Sequence, residues 1–361
     1  MLAAYRGDLH ALRPRRVCLI KPSSLGDIAH AFPLLASLRR HWPDAELAWV
    51  VNRGLRSLVE GQPHVDAVIP FDRAAVRFRP GAVGPLARFV ADLRRRRFDV
   101  TIDLQGLLRS GLMTAATGAP VRVGLRSARE GAGAFYNHAV DDRGEAVHAV
   151  DRLLRVASAF GAPVDGLDPA VACAPADRLR MLAELGRLPR PWVALNIGAR
   201  WLTKRWPPGH FAAIARRARE QWGAGIVLVG APEDRPLVDE LLAALGPDAP
   251  GVLDLCGRTT LPELAALARE VDLFVSNDTG PLHLAAAAGA RTVGIYTCTS
   301  PERTGPYGPL AAVARSCVWC APSFVRTCPR MECMAELTPD RVWAVIERHH
   351  AAGRGAQVAP A

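Results

Sequence analysis

The stretch Arg16–His41, RVCLIKPSSLGDIAHAFPLLASLRRH, decides the fold class. Arg16 to Pro22 is a short, nearly continuous apolar run that stops at a proline, which reads as a buried strand. Gly26 to His41 carries apolar residues at helical spacing, which reads as the helix that follows. Between them Ser23, Ser24 and Gly26 make a tight turn whose small residues let a ligand approach the backbone. A strand, a small-residue turn and a helix open a βαβ unit, and the rest of the chain repeats the pattern.

Working outward, Ala45–Val51, Ala67–Pro70 and Val100–Leu104 read as strands, and Phe89–Arg97 and about Val147–Phe160 as helices. A loop-rich stretch, Ala119–Glu145, precedes the last of these. Residues 161–176, GAPVDGLDPAVACAPA, lack periodicity and read as a linker. Beyond it the alternation resumes, with strands at Val193–Ile197, Ile226–Gly230, Val252–Leu255, Leu273–Ser276 and Thr292–Tyr296. Helices are predicted near 208–222, 233–245, 261–269 and 280–288, and a last one at Pro339–Arg348 behind Thr338 as cap. The expectation is an α/β chain of two doubly wound parallel-sheet domains, residues 1–170 and 177–338, followed by a helix and tail at 339–361. Their site belongs in the cleft between them, at the carboxyl ends of the strands.

Composition agrees. A chain of 361 residues, half of them hydrophobic and 22% charged, excludes wholesale disorder and suits two domains of ~150–180 residues. No apolar run approaches the ~18–20 residues that span a bilayer, and the N-terminus has no apolar signal core, so the chain is expected in the cytoplasm. Net charge is +10, with 26 Arg and Lys against 18 Asp and Glu in residues 1–180 and 19 against 17 beyond. That excess suits an anionic partner such as a phosphorylated glycolipid or a membrane surface; Arg-rich coding alone is the other reading. Arg94–Arg97 ends a helix and reads either as a solvated face or as a dock for anionic lipid. With only 6% aromatic residues and none interleaved among the cations, nucleic acid is not expected. Only two of the 45 basic residues are lysines, Lys21 and Lys204, which points to positions where a compact ammonium is needed.

Three loops carry chemistry. In Lys21–His30, KPSSLGDIAH, Asp27 falls in the first helical turn, where it serves as a general base or merely complements the helix dipole. In Asn196–Pro208, NIGARWLTKRWPP, the cations Arg200, Lys204 and Arg205 gather with Thr203 at a strand end, where a diphosphate fits. In Ser276–Ala288, SNDTGPLHLAAAA, the N–H groups of Thr279 and Gly280 face an anion at a helix N-terminus. Asp278 suits ribose hydroxyls, and His283 reaches back from the first turn. Neither GxGxxG nor a Walker loop follows a first strand, which disfavours a dehydrogenase.

Together these pieces resemble glycosyltransferase family 9, the bacterial heptosyltransferases of lipopolysaccharide inner core. The matching stretches are KPSSLGDIAHAFP, GARWLTKRWPPGHFA, VGAPEDRPLVDEL and SNDTGPLHLAAAAGARTVGIYTCTSPERTGPYGP, with the C-terminal cysteine segment. The resemblance implies a GT-B architecture of two Rossmann-like domains, with acceptor on the first, nucleotide-sugar on the second, and a last helix returning to the first. It implies inverting transfer from ADP-L-glycero-D-manno-heptose to an anionic glycolipid at the inner leaflet, with no cofactor required. Asp27 matches the base, with Ser23, Ser24 and Gly26 in the acceptor-side loop. Lys204 matches the residue that offsets charge on the departing diphosphate. Arg200, Thr203, Asp278, Thr279, Gly280 and His283 fall to the donor side. Glu233 matches a carboxylate at the ribose, and Asp234 fits equally well.

There are departures. Paired hydroxyl residues of some relatives are replaced here by Ala199 and Arg200. The stretches Arg73–Arg88 and Leu108–Asn137 match nothing assigned, and their Arg77, Arg79, Arg109, Arg122, Arg126 and Arg129 either meet acidic groups of the acceptor or are solvated. Cys317, Cys320, Cys328 and Cys333, spaced C-x2-C-x7-C-x4-C, suit a structural zinc site or reduced thiols. Two alternatives remain: an epimerase-like GT-B enzyme acting on free nucleotide-sugar, and a non-catalytic nucleotide-sugar binder.

Overall fold

A computed structural model describes residues 7–72, 83–144, 147–166, 171–246 and 251–357. Arg77 and Arg79 lie outside them. The chain divides into two compact units, Met1–Ala172 and Cys173–Ala361, with the division inside the predicted linker.

The first unit holds β1 (Arg16–Ile20), β2 (Glu46–Asn52), β3 (Ala67–Phe71), β4 (Val100–Asp103), β5 (Val121–Leu125) and β6 (His138–Val140). They form one parallel sheet in the order β3-β2-β1-β4-β5-β6. The second holds β7 (Trp192–Asn196), β8 (Gly225–Val229), β9 (Val252–Asp254), β10 (Leu273–Asn277), β11 (Thr292–Tyr296) and β12 (Ala311–Arg315), in the order β12-β11-β10-β7-β8-β9. The two windings are the same. Each chain half runs outward for three strands, returns beside its first strand, and runs out the other way. Each unit is therefore Rossmann-like, the pair is that of the GT-B class, and each sheet has one switch point, between β1 and β4 and between β7 and β10. The central strands are apolar on both faces because helices cover both. Strand β1 is buried from Val17 to Ile20, and β7 throughout.

Several elements depart from the sequence reading. The predicted helix Gly26–His41 is two helices, Leu25–Ala29 and Phe32–His41. Pro33 supplies no N–H, and its ring in a continuous helix would strike the carbonyl four residues back, at Ala29. The stretch read as loop contributes β5 and β6, of five and three residues, too short for alternation to register. Strand β12 and the helix Pro175–Leu185 were also unread; only Met181 and Leu185 of that helix are fully buried, so its apolar stripe is narrow. The final helix, Pro339–Gln357, packs on the second unit's own core through Val342, Trp343 and Ile346. Trp343 meets the Trp222 ring 4.7 Å away. Among the described residues no helix is long and apolar enough to cross a membrane.

Candidate active site

Both switch points carry a lysine, and each lysine crosses to the strand that returns. In the first unit the Lys21 backbone continues β1: its N–H donates to Val50 O at 3.3 Å, and its carbonyl accepts the Trp49 indole N–H at 3.2 Å. Its buried ammonium donates to Leu104 O, just past β4, at 2.9 Å and lies 3.7 Å from Asp27 Oδ1. Ser24 sets the other side of the carboxylate, its N–H and hydroxyl donating to Asp27 Oδ2 at 2.9 and 2.6 Å. Burial opposes ionisation of Asp27. The Lys21 ammonium and the two Ser24 donors overcome it and hold the carboxyl below its ordinary range. The Asp27 side chain nonetheless stays 46% exposed. It is a charged, oriented carboxylate open to solvent.

One residue before Leu104, Asp103 ends β4 and is buried. Its Oδ1 accepts from the N–H groups of Gln105 and Gly106, and its Oδ2 from the Tyr136 hydroxyl at 2.7 Å. Burial outweighs these donors and raises its carboxyl. The Tyr136 ring lies over Gly124, where a Cβ would come within 2.2 Å of it, so glycine is required.

In the second unit the turn Leu202–Lys204 presents Lys204, whose ammonium donates to Asp278 Oδ2 at 2.5 Å. The Thr299 hydroxyl donates to the same oxygen at 2.5 Å, and His283 Nε2 stands 3.4 Å from Oδ1. Asp278 is only 4% exposed at its side chain. Burial would raise its carboxyl, but the His283 hydrogen bond and the Lys204 ammonium prevail and hold it far below the usual range. The switch point itself is laced by side chains. Asn277 Nδ2 donates to Ile197 O at 2.7 Å, its Oδ1 accepts from Trp206 N–H at 3.2 Å, and Asn196 Nδ2 donates to Ser276 Oγ at 2.9 Å. Two residues after Asp278 the helix Gly280–Ala287 begins; Thr279 enters it in an extended conformation, without a side-chain cap. Pro281 has no N–H and the Leu282 N–H donates to Thr279 O, so the donors this end offers an anion are those of Thr279 and Gly280.

Residues 86–334 match the profile of glycosyltransferase family 9 (heptosyltransferase). The chain is 32% identical to lipopolysaccharide heptosyltransferase 1 of Pseudomonas aeruginosa, over 92% of this chain and 97% of that one. The chain belongs to glycosyltransferase family 9. It is also 26% identical to the lipopolysaccharide core heptosyltransferase OpsX of Haemophilus influenzae, over 82% and 83% of the two chains. Among solved structures, that of Escherichia coli heptosyltransferase WaaC with ADP is 26% identical and superposes with a TM-score of 0.74 over 92% of this chain and 99% of that one. As a family 9 member the chain is a glycosyltransferase.

Within this family 9 chain the structure brings together Ser24 and Asp27 at one sheet edge, and Lys204, Asp278 and His283 at the other. Three sequence-predicted residues stand differently. The Thr203 hydroxyl is buried and committed, donating to Val325 O at 2.5 Å and accepting from Cys298 Sγ at 3.4 Å. Thr203 therefore ties the turn of Lys204 to the cysteine-bearing loop. Arg200 is exposed. Of the two carboxylates after β8, Asp234 accepts from the Ala231 N–H at 3.0 Å and lies against Gly198, whereas Glu233 is exposed and uncommitted to that cap. On the acceptor-side stretches, Arg122 is held by Ala119 O and Phe135 O, while Arg109, Arg126 and Arg129 are exposed.

No zinc site is shown at Cys317, Cys320, Cys328 and Cys333. Among the described residues no three His, Cys, Asp or Glu side chains are placed to hold a metal ion. Cys317 is exposed and turned toward Arg315 O and the Arg341 guanidinium, whereas Cys333 is buried in the second unit's core. Residues that sequence reasoning missed are those that lace the switch points: Asn196, Ser276, Asn277, Thr299, Asp103 and Tyr136. The scarcity of lysine was the signal for Lys21; a hydroxyl or amide among many carries none.

Proposed function

We propose that this chain transfers heptose from an ADP-heptose donor to a lipopolysaccharide inner-core glycolipid with inversion at the anomeric carbon. The observation that carries the reading is the Lys204–Asp278–His283 cluster at the head of the helix Gly280–Ala287. A fixed ammonium beside free helix N–H groups suits a diphosphate whose charge grows as it leaves. Glu233 is the exposed carboxylate for the ribose. Asp278 orients Lys204, and Thr279 and Gly280 present backbone donors.

On the first unit Asp27 accepts the proton of the acceptor hydroxyl as the new C–O bond forms and the bond to the diphosphate breaks, releasing ADP. Its exposure and its ionised state support this role, since a base must reach substrate and must be unprotonated. Ser23, Ser24 and Gly26 shape the loop that receives the acceptor. The basic excess of the first 180 residues supports action at the cytoplasmic face of the inner membrane on an anionic acceptor. The two sequence relatives described above, both lipopolysaccharide heptosyltransferases, support the sugar and the acceptor class.

Calorimetric titration with ADP, UDP, GDP and NAD side by side tests the donor. Selective binding of ADP is the expected result. Preference for UDP or GDP would move the donor and sink the heptose reading.

A further inference from the structure

Lys204 is not alone at its indole. Its ammonium stands 4.8 Å from the centroid of the Trp201 ring, and the Arg326 guanidinium stands 5.2 Å from the same centroid. Arg326 comes from the cysteine-bearing loop, more than a hundred residues on, and its approach is built. Thr203 donates to Val325 O at 2.5 Å, which fastens the residue before Arg326 to the residue before Lys204. Phe324 N–H donates to Cys298 O at 2.8 Å, and the Arg303 guanidinium lies over the Phe324 ring.

Two cations near one indole repel each other, and an anion shared by both offsets that repulsion. Lys204 has Asp278. Among the described residues no carboxylate pairs with Arg326, which is exposed. The strand-end loop that leads to Lys204 also carries Ala199, which has no hydroxyl to give a phosphate. A further side-chain donor for the anion can come from Arg326, which is held beside the same indole as Lys204.

We propose that Arg326 is a second cation for the donor diphosphate, with Trp201 as the platform that parks its guanidinium beside Lys204 before the nucleotide arrives. A guanidinium offers paired N–H donors that match phosphate oxygens, and an indole face orients it at little entropic cost. This rests on the reading of the second unit as the nucleotide-sugar site.

The test is calorimetry on the full chain with ADP, and with adenosine by competition. Arg326→Gln raises the ADP Kd about tenfold or more, leaves the adenosine Kd within twofold, and flattens the salt dependence of ADP binding. Trp201→Leu weakens ADP in the same direction, and Arg326→Lys recovers part of the loss. Melting temperatures matching the parent's show that these effects are not unfolding. An ADP Kd unchanged in Arg326→Gln overturns the proposal, as does an equal loss for adenosine. If the parent binds UDP or GDP in place of ADP, the donor reading fails alone, and the same variant must then weaken that diphosphate. A parent that binds no nucleoside diphosphate overturns both.

Discussion

Replacing Lys204 with methionine separates what the ion pair does for folding from what it does for transfer. The Asp278 side chain is 4% exposed and that of Lys204 18%, so the pair is largely withdrawn from water. Breaking such a pair from one side leaves a buried charge unmatched, which costs ~3–5 kcal/mol. Thr299 and His283 remain on the carboxylate, which puts Lys204→Met at the low end, about 3 kcal/mol. For a unit of this size that lowers the melting temperature by roughly 6–12 °C. Asp278→Asn leaves an ammonium with some access to water and costs about 1–2 kcal/mol. The double variant removes both charges and should lie within about 1 kcal/mol of the parent, giving a coupling of ~3–5 kcal/mol. Transfer behaves otherwise. Loss of the cation that meets the departing diphosphate costs about 10²–10³ in kcat, and Asp278→Asn does not restore it. Thermal unfolding by circular dichroism and steady-state transfer of the same four proteins give both numbers. The stability gap is full at neutral pH, because the depressed Asp278 carboxyl contributes fully above its unfolded value of 3.8. It closes in acid as Asp278 takes up its proton in both proteins. A double variant no more stable than Lys204→Met refutes the pairing argument. One that recovers transfer together with stability refutes a direct role for Lys204.

Three further outcomes follow from the same geometry. Lys21→Met removes the leading group that lowers Asp27 against its burial, so the acid limb of kcat/KM moves to higher pH; an unmoved limb in a pH–rate profile would detach Lys21 from the base. Thr203→Val loses the bond to Val325 O and costs about 1 kcal/mol, with ADP affinity falling in parallel, while Thr203→Ser keeps both. Lost ADP affinity at full stability would show instead that the hydroxyl touches the donor. Gly198→Ala places a Cβ 2.1 Å from Asp234 Oδ2 and costs about 1–3 kcal/mol by unfolding; added to Asp234→Ala it should cost far less.

The fold was legible wherever strands are buried on both faces. Strands β1, β7, β10 and β11 announce themselves as apolar runs between turns, because a parallel sheet under two helical layers needs nothing else. Legibility faded toward the sheet edges. Strand β6 has three residues, and most of β12 is only partly buried, so neither leaves a long apolar signature. The broken helix at Ala31 was written in Pro33 but was outvoted by the apolar spacing around it. At the site, charged residues at strand ends were legible because burying them demands a reason. The hydroxyls and amides that hold them were not. Thr203 read as a donor contact because it adjoins Lys204, and only the position of Val325, 122 residues away, shows where its hydroxyl is spent. Likewise the spacing of the four cysteines suits a metal, but Cys333 belongs to a core that no spacing rule describes.

The two switch points give the same device opposite properties. Each sets a lysine after the first strand of its sheet and a carboxylate within reach, and those are the chain's only lysines. An arginine would not serve equally, since its planar fork is larger and cannot place one compact charge against a single oxygen. The difference lies in the carboxylates. Asp278 is shut away and meets three donors, so its negative charge is consumed in orienting Lys204 and leaves that ammonium as the group available to an anion. Asp27 is 46% exposed, while Lys21 is buried and donates also to Leu104 O, so here the lysine is the consumed partner and the carboxylate the available one. Under the proposed function, burial selects which member of each pair meets substrate: a base in the first unit, a cation in the second. Transfer of a sugar from a diphosphate needs both, and exchanging the exposures would leave a chain with the same residues and neither function.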